Sequence, residues 1–198
     1  MSLPAHLKTD PLAAYLKTDP LAARFFGLIQ SLGATQLFHE PCVAAFAMVF
    51  CIQGGVLRVM TNVENRPKYN VFGPPGGAIE KKHSSEIDDE SGRLTAERET
   101  REAGVDLANL SKTQHICTFS LGHGIRYVVY FSENRLPNGA PWRKNKEVSA
   151  VCHMRFSNVF SMLLASNKQS YQCGPHNMRL RECYREVLLQ LWSMLHPE

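Results

Sequence analysis

The chain has 198 residues, of which 44% are hydrophobic and 20% charged, and its formal net charge is +4. This composition is typical of a globular domain with a real core and excludes a mainly disordered chain. No apolar run is long enough to span a bilayer and the first residues lack a signal-peptide pattern, so a cytoplasmic protein is expected. The mild positive charge is compatible with a polyphosphate or RNA ligand without requiring one.

The first part of the chain contains a tandem repeat, HLKTDPLAA followed by YLKTDPLAA. In each copy the Asp-Pro pair is typical of a helix N-cap followed by a first-turn proline. The pattern predicts two short helices, the second over residues 20 to 32 and ending at Gly33. We interpret residues 1–40 as a helical extension and residues 41–198 as the main domain. The repeat is open to three interpretations: a packing arm, a dimer contact or a duplication without consequence.

The main domain alternates strand-like and helix-like segments. Two apolar runs around Gly54 and Gly55 predict a hairpin, and HICTFSL with IRYVVYFS predicts a second strand pair joined by GHG. A helix is predicted over residues 95 to 102 with Gly104 as its stop. EVSAVCHMRF predicts a strand, a helix begins near Ser157, and MRLRECYREVLLQLWSML predicts a long final helix. These elements indicate an α/β fold in which helices cover both faces of a mixed sheet.

Six cysteines are spread along the chain without a close CxxC pair. This spacing favours buried reduced thiols over disulfides. The spacing Cys173-x2-His176 with Cys183 is a weak zinc pattern, because no second close pair accompanies it.

The order strand pair, PPGGAIE, charged helix ending in glycine, strand pair and NKEVSAVCHMRFSNVFSMLL resembles a Nudix hydrolase over about residues 43 to 195. That family's box is G-x5-E-x7-R-E-U-x-E-E-x-G-U, where U is a bulky aliphatic residue. Glu90, seven intervening residues and Arg98-Glu99 match its middle, and Gly104 matches its end. The resemblance implies a Nudix-like α/β/α sandwich. It also implies a metal-dependent hydrolase that cleaves the diphosphate of a nucleoside diphosphate linked to another moiety.

The implied chemistry explains why glutamates recur on this helix. Splitting a pyrophosphate requires neutralisation of charge and positioning of a water, which Mg²⁺ or Mn²⁺ supplies. Such ions prefer oxygen ligands, and glutamates three or four residues apart lie on one helix face. The resemblance implies a metal held by Glu90, Glu99, Glu102 and the carbonyl of Gly77. Glu99 and Glu102 then count as catalytic, and Arg98 orients a glutamate.

The chain departs from the family box in two places. The stretch KKHSSEIDDESG includes seven residues more than the family spacing, and the helix is one residue short. If the helix is aligned on Arg98-Glu99, Ala103 replaces the third carboxylate. If it is aligned on Gly104, Arg98 and Arg101 fall where carboxylates belong. We favour the first alignment, because the second places positive charge in the metal site.

Several further residues complete the predicted site. Glu147 stands where several family members place an acidic residue, so Glu102 and Glu147 are both candidates for the general base. The alternative for Glu147 is that it is a solvated loop carboxylate. Gly76, with Gly77, lets the backbone approach the phosphates without a side chain in the way. Arg58 is a candidate phosphate contact, and Tyr69 a candidate for stacking on a base.

The sequence does not choose among substrates. ADP-ribose, a dinucleoside polyphosphate, a sugar nucleotide, coenzyme A, an oxidised nucleotide and a capped or 5′-phosphorylated RNA end share the reacting group. A homodimer is a further expectation, because dimers are common among proteins that the chain resembles. Two alternatives stay open: a catalytically silent nucleotide- or RNA-binding domain, and an interaction protein in which the repeat and the final helix mediate assembly.

Overall fold

The structure is a computed structural model that describes residues 10–35, 40–65, 70–80, 89–107, 112–133, 148–164, 171–173 and 176–197. The helices in these ranges are α1 (Pro11–Leu16), α2 (Pro20–Thr35), α3 (Asp89–Glu102), α4 (Phe156–Leu164) and α5 (Glu182–Leu195). The strands are β1 (Ala44–Gln53), β2 (Val56–Asn65), β3 (Asn70–Gly73), β4 (Gly76–Ala78), β5 (Thr113–Phe119), β6 (Ile125–Ser132), β7 (Val148–Arg155), β8 (Tyr171–Cys173) and β9 (His176–Leu180). Within the described ranges, no helix has the length and apolar character needed to cross a membrane.

The strands form one mixed sheet in the order β5-β6-β1-β2-β3-β9-β8, with β4 paired to β1 and β7 paired to β2. Strand β1 runs antiparallel to β2 and β4 and parallel to β6. The hairpin at Gly54 and Gly55 and the antiparallel pair β5–β6 are both present, as predicted. Strand β1 therefore lies inside the sheet. Next to it lies β4, which carries Gly76 and Gly77, here called the glycine pair.

Strand β1 separates two hydrophobic cores because its side chains alternate between the two faces of the sheet. Phe46, Met48 and Phe50 enter the larger core, whereas Ala45 and its alternate neighbours enter the smaller one. The larger core also includes buried residues of α1, α2, α4 and α5. The smaller core includes Ala96 of α3. The predicted fold class, a mixed sheet covered by helices on both faces, is confirmed.

The repeated Asp-Pro pairs begin the first two helices. The Asp10 carboxylate accepts hydrogen bonds from the Leu12 amide at 2.8 Å and the Gln114 side chain at 2.7 Å. Asp19 accepts from the Ala22 amide at 3.0 Å. The repeat thus encodes two successive helix starts, and the first of them is also tied to β5. The domain boundary at residue 40 stays a prediction, although α2 packs into the main core through Phe25.

One predicted helix end and one predicted helix start were wrong. Helix α2 continues through Gly33 to Thr35, and a Cβ at Gly33 would lie 2.8 Å from the Thr118 carbonyl oxygen. The glycine there permits close packing on β5 and does not end the helix. Helix α3 begins at Asp89 instead of residue 95 and includes Gly92, where an added Cβ would lie 3.0 Å from the Arg126 side chain.

The predicted final helix is shorter than expected. Its first residues belong to β9, in which Met178, Arg179 and Leu180 pair in parallel with Asn70, Val71 and Phe72 of β3. Strand pairing overrides the helical periodicity there, and α5 begins at Glu182. The short turn between β9 and α5 contains Arg181, which brings that residue close to the glycine pair.

The described thiols agree with the reduced state predicted from the sequence. Cys42, Cys51, Cys117 and Cys183 are reduced thiols. Burial raises the pKa of Cys51 to about 11, so its thiol stays protonated at neutral pH. The side chains of Cys152 and Cys173 lie outside the described residues.

We expect Phe25→Ala to destabilise the protein by about 3–5 kcal/mol, since the ring is fully buried and lies 5.0 Å from Phe156. The measurement is urea unfolding followed by circular dichroism. Arg24→Ala is the control on the exposed side of α2, and its effect should stay within about 0.5 kcal/mol. A cost for Phe25→Ala below about 1 kcal/mol would show that α2 is not part of the core.

Candidate functional site

The glycine pair belongs to a short strand held on β1. The Ala47 amide donates to the Pro75 carbonyl at 2.8 Å, and the Ile79 amide donates to the Val43 carbonyl at 3.0 Å. Backbone groups of alternate residues in an antiparallel pair point the same way, so Gly77 also faces β1. The carbonyls of its two neighbours in the chain point to the opposite side. The Gly77 carbonyl, which the family resemblance suggests as a metal ligand, therefore lies on the β1 side.

Two guanidinium groups bind the carbonyls that point away from β1. Arg98 Nη2 donates to the Ala78 carbonyl at 3.0 Å and to Glu99 Oε1 at 2.8 Å. Arg181 Nη1 donates to the Gly76 carbonyl at 3.3 Å. The glycine pair is therefore fixed by a side chain from α3 and by another from the turn before α5.

Glu99 lies directly against Gly77. A Cβ built on Gly77 would lie 2.6 Å from Glu99 Oε1, which is closer than two such atoms can approach. Glycine at this position thus leaves the space that the carboxylate occupies. The charged hydrogen bond from Arg98 fixes the orientation of the carboxylate in that space.

Three carboxylates surround the Arg98 guanidinium. Besides the close contact with Glu99, its nitrogen atoms lie 3.9 Å from Glu80 Oε1 and 4.0 Å from Glu102 Oε1. The guanidinium therefore brings three carboxylates together at the end of the glycine strand. The Glu102 side chain is 56% exposed, whereas that of Glu99 is 20% exposed, so Glu102 is the more accessible of the two box glutamates.

Helix α3 ends in a glycine turn at the place where the box is one residue short. The Gly104 amide donates to the Arg101 carbonyl and the Val105 amide to the Thr100 carbonyl, both at 2.9 Å. With a φ of 97° at Gly104, this is the Schellman arrangement that ends helices. Ala103, which replaces the third carboxylate in the favoured alignment, is 1% exposed.

The charged residues at the end of α3 differ in their described partners. Arg101 is exposed and pairs with Asp106 at 3.5 Å. Arg98 and Glu99, in contrast, contact the glycine strand directly. This geometry favours the alignment on Arg98-Glu99 over the alignment on Gly104.

Helix α3 is held in this orientation by polar contacts as well as by packing. Tyr130 of β6 donates its hydroxyl hydrogen bond to Glu97 Oε1 at 3.0 Å. Thr100, at the aliphatic position of the box, is fully buried and donates to the Ala96 carbonyl at 2.6 Å. Satisfying its hydroxyl within the helix lets threonine occupy a buried position that the family gives to an aliphatic residue.

Arg58 is not brought to the glycine pair. It lies opposite Cys51 on β1, while Gly77 lies opposite Ala45, which places the two about 20 Å apart along the strand. Its guanidinium donates to the His153 carbonyl at 3.1 Å. The predicted phosphate contact by Arg58 therefore has no support in the geometry.

Three other predicted site residues cannot be placed in the site. Tyr69 and Glu147 lie outside the described residues. Glu90 lies in the first turn of α3, and its side chain is also outside the described part of the chain. Their predicted roles stay predictions.

The side chains at the glycine pair offer the type of ligand atom that Mg²⁺ prefers. Glu80, Glu99 and Glu102 offer carboxylate oxygens, which hard divalent ions prefer. Within the described ranges, however, no group of three or more ligand side chains is already arranged around one point. A metal here would require Glu102 or Glu80 to turn from Arg98, or a ligand from outside those ranges.

Two residues of the site had no assigned role from the sequence. Glu80 follows the glycine pair, and its position in PGGAIE was the available signal. Arg181 is separated from Gly76 by 105 positions, so no local pattern indicates the contact. Only the parallel pairing of β9 with β3 brings it there.

Neither a family model nor a curated protein matches the sequence. Among solved structures, the chain is similar to the NUDIX domain of Shewanella oneidensis NrtR complexed with ADP ribose, at 19% identity and a TM-score of 0.45 over 80% of this chain and 90% of that one. It is also similar to a NUDIX hydrolase from Alicyclobacillus acidocaldarius, at 14% identity and a TM-score of 0.47 over 80% of this chain and 95% of that one. A C. elegans Ap4A hydrolase binary complex has 16% identity and a TM-score of 0.41 over 60% of this chain and 82% of that one. These values are too low to assign an activity or a substrate, so both have to be argued from the residues of this chain.

We expect Gly104→Ala to destabilise the protein by about 1–2 kcal/mol, because a side chain strains the left-handed conformation that ends α3. Urea unfolding measures the change. Gly27→Ala is the matched control, since an added Cβ there meets nothing within 4 Å. It should stabilise α2 by roughly 0.5–1 kcal/mol. Equal stability of Gly104→Ala and the parent would contradict the described helix end.

Proposed function

We propose that the protein is a Nudix-type pyrophosphohydrolase that cleaves the diphosphate of a nucleoside diphosphate linked to another moiety. The observation that carries the proposal is the fixed Glu99 carboxylate, held by Arg98 against the bare backbone of Gly77. A carboxylate in this setting is preorganised, so it needs little rearrangement when charge develops on a substrate. The order of motifs in the sequence supports the same class of reaction.

Mg²⁺ or Mn²⁺ is the cofactor that we propose, with Glu99, Glu102 and Glu90 as ligands. When bound, such an ion neutralises the diphosphate and lowers the pKa of a water. Glu99 supplies the rigid ligand, because its side chain is anchored by Arg98. Glu102 supplies the mobile one, since it is exposed and its contact with Arg98 is long.

The glycine pair serves the polyanionic part of the substrate. The space where a side chain would stand is filled by Phe46 at Gly76 and by Glu99 at Gly77, so the pair serves a phosphate by keeping the Glu99 carboxylate close to the backbone. Arg98 orients Glu99 without giving up its bond to the Ala78 carbonyl. Its positive charge lies among the carboxylates and limits their mutual repulsion.

Glu102 is the described residue best suited to accept the proton of the attacking water. Its carboxylate is exposed and lies on the same helix face as Glu99. Glu147 is the other candidate from the sequence. A base must lie within hydrogen-bond reach of the water it deprotonates, and among the described residues Glu102 is the exposed carboxylate of the box.

A catalytically silent nucleotide-binding domain is the second candidate. Ala103 in place of the third glutamate and the guanidinium among three carboxylates favour it. Such a domain keeps the glycine pair for phosphate binding and lacks turnover. Nucleotide at a hundredfold excess over its Kd should then stabilise the protein by about 2.7 kcal/mol without being hydrolysed.

The proposal predicts metal-dependent release of a nucleoside monophosphate from at least one of the diphosphate-linked substrates named above. Glu99→Gln and Glu102→Gln should each lower kcat by about 100-fold or more, because the amide keeps a hydrogen-bond acceptor and removes the negative charge. Initial rates with Mg²⁺ and with Mn²⁺, followed by chromatography of the products, measure the effect.

The control variant is Glu186→Gln, which removes an exposed carboxylate from α5 and should leave kcat unchanged. All three variants should unfold at the parent's temperature within experimental error. Binding of nucleotide without turnover by the parent would replace the hydrolase proposal with the silent domain. Full turnover by Glu99→Gln would show that the site lies elsewhere.

A further inference from the structure

Arg181 makes three contacts at the glycine pair and next to it. Its backbone amide donates to the Phe72 carbonyl at 2.9 Å, before the glycine pair in the chain. Its Nη1 donates to the Gly76 carbonyl at 3.3 Å. Its Cζ lies 5.3 Å from the centroid of the Phe46 ring, and Phe46 is the residue that pairs with Gly76 across the strands. Arg181 therefore contacts the chain before the glycine pair, the pair itself and the neighbouring residue of β1.

The Arg181 side chain has little freedom to move away from these contacts. An added Cβ on Gly73 would lie 3.2 Å from the Arg181 Cβ, so the two backbones are already close. The guanidinium is half-buried, and burial lowers the pKa of Arg181. A desolvated cation is stabilised by carbonyl oxygens and aromatic faces, and Gly76 and Phe46 provide both.

Arg181 and Glu99 hold adjacent residues from opposite faces of the sheet. Phe46, below Arg181, belongs to the larger core, whereas Ala45, opposite Gly77, belongs to the smaller core that α3 covers. The position of Gly77 under the Glu99 carboxylate thus depends on how firmly Gly76 is held from the other side. With 2.6 Å between the Glu99 oxygen and the site of a Cβ on Gly77, a small displacement of the strand changes this contact.

We propose that Arg181 is a positioning residue for the candidate site: by binding the Gly76 carbonyl it fixes Gly77 beneath Glu99. It acts through the glycine pair and does not itself touch the reacting atoms. The kinetic consequence rests on the proposed hydrolase function, whereas the effect on the strand does not. A misplacement of about 1 Å in a catalytic site lowers a rate by up to about 100-fold.

The test compares Arg181→Met, which removes the donor and keeps the length, with Arg181→Lys, which keeps the charge. Arg185→Met, an exposed arginine in the first turn of α5, is the matched control. Hydrogen exchange of the peptide that contains residues 76 to 80 reports on the strand directly. We expect faster exchange there in Arg181→Met, a smaller change in Arg181→Lys and none in Arg185→Met.

Activity on the substrate that the parent hydrolyses provides the second readout. Arg181→Met should lower kcat by about 10- to 100-fold with a smaller change in KM, and Arg181→Lys should recover part of the loss. Reduced melting temperature with parental exchange in residues 76 to 80 would overturn the proposal, since Arg181 would then serve packing alone. If the parent has no activity, the hydrolase proposal fails, but the exchange experiment still supports or overturns the positioning role.

Discussion

The contact of the Arg98 guanidinium with Glu99 and with the Ala78 carbonyl is the interaction on which the site depends. It joins the charged helix to the glycine strand and turns a flexible glutamate into a fixed one. Its charge also reduces the repulsion between the carboxylates of Glu80, Glu99 and Glu102. The same guanidinium also limits the site, because it occupies the centre that a cation would otherwise share with these carboxylates.

The contact is possible because the backbones of α3 and the sheet come close together. Ala45 and Ala47 present small side chains from β1 toward α3, and Gly77 continues that shallow surface onto β4. On the other face, β1 presents large side chains, and phenylalanines of α2 and α4 pack on them. The sheet thus has a thick core on one side and a thin one on the other. The thin side is where a helix can bring carboxylates next to exposed backbone.

Local patterns predicted most elements and the centre of the site. The hairpin, the second strand pair and the helix stop at Gly104 follow from turn chemistry, and the approach of Arg98-Glu99 to the glycine pair follows from the motif order. Gly33 and Gly92 could not be interpreted correctly, because their meaning lies in distant partners, Thr118 and Arg126. For the same reason the sequence predicts helix for the last residues of β9 and places Arg58 in the site. The periodicity of the sequence indicates which face of an element is buried. Contacts between distant residues depend on the register between strands, which periodicity does not give.

The buried position of Ala103 makes the number of carboxylates in the site a matter of helix length. Changing Ala103 to glutamate would put the new carboxyl into the protein interior, where desolvation favours its neutral form. One more residue before Gly104 would move the Schellman turn along the chain, but the residue after Glu102 would stay at this buried place. Under the proposed function, burial at this end of α3 therefore limits how many carboxylates the helix can offer.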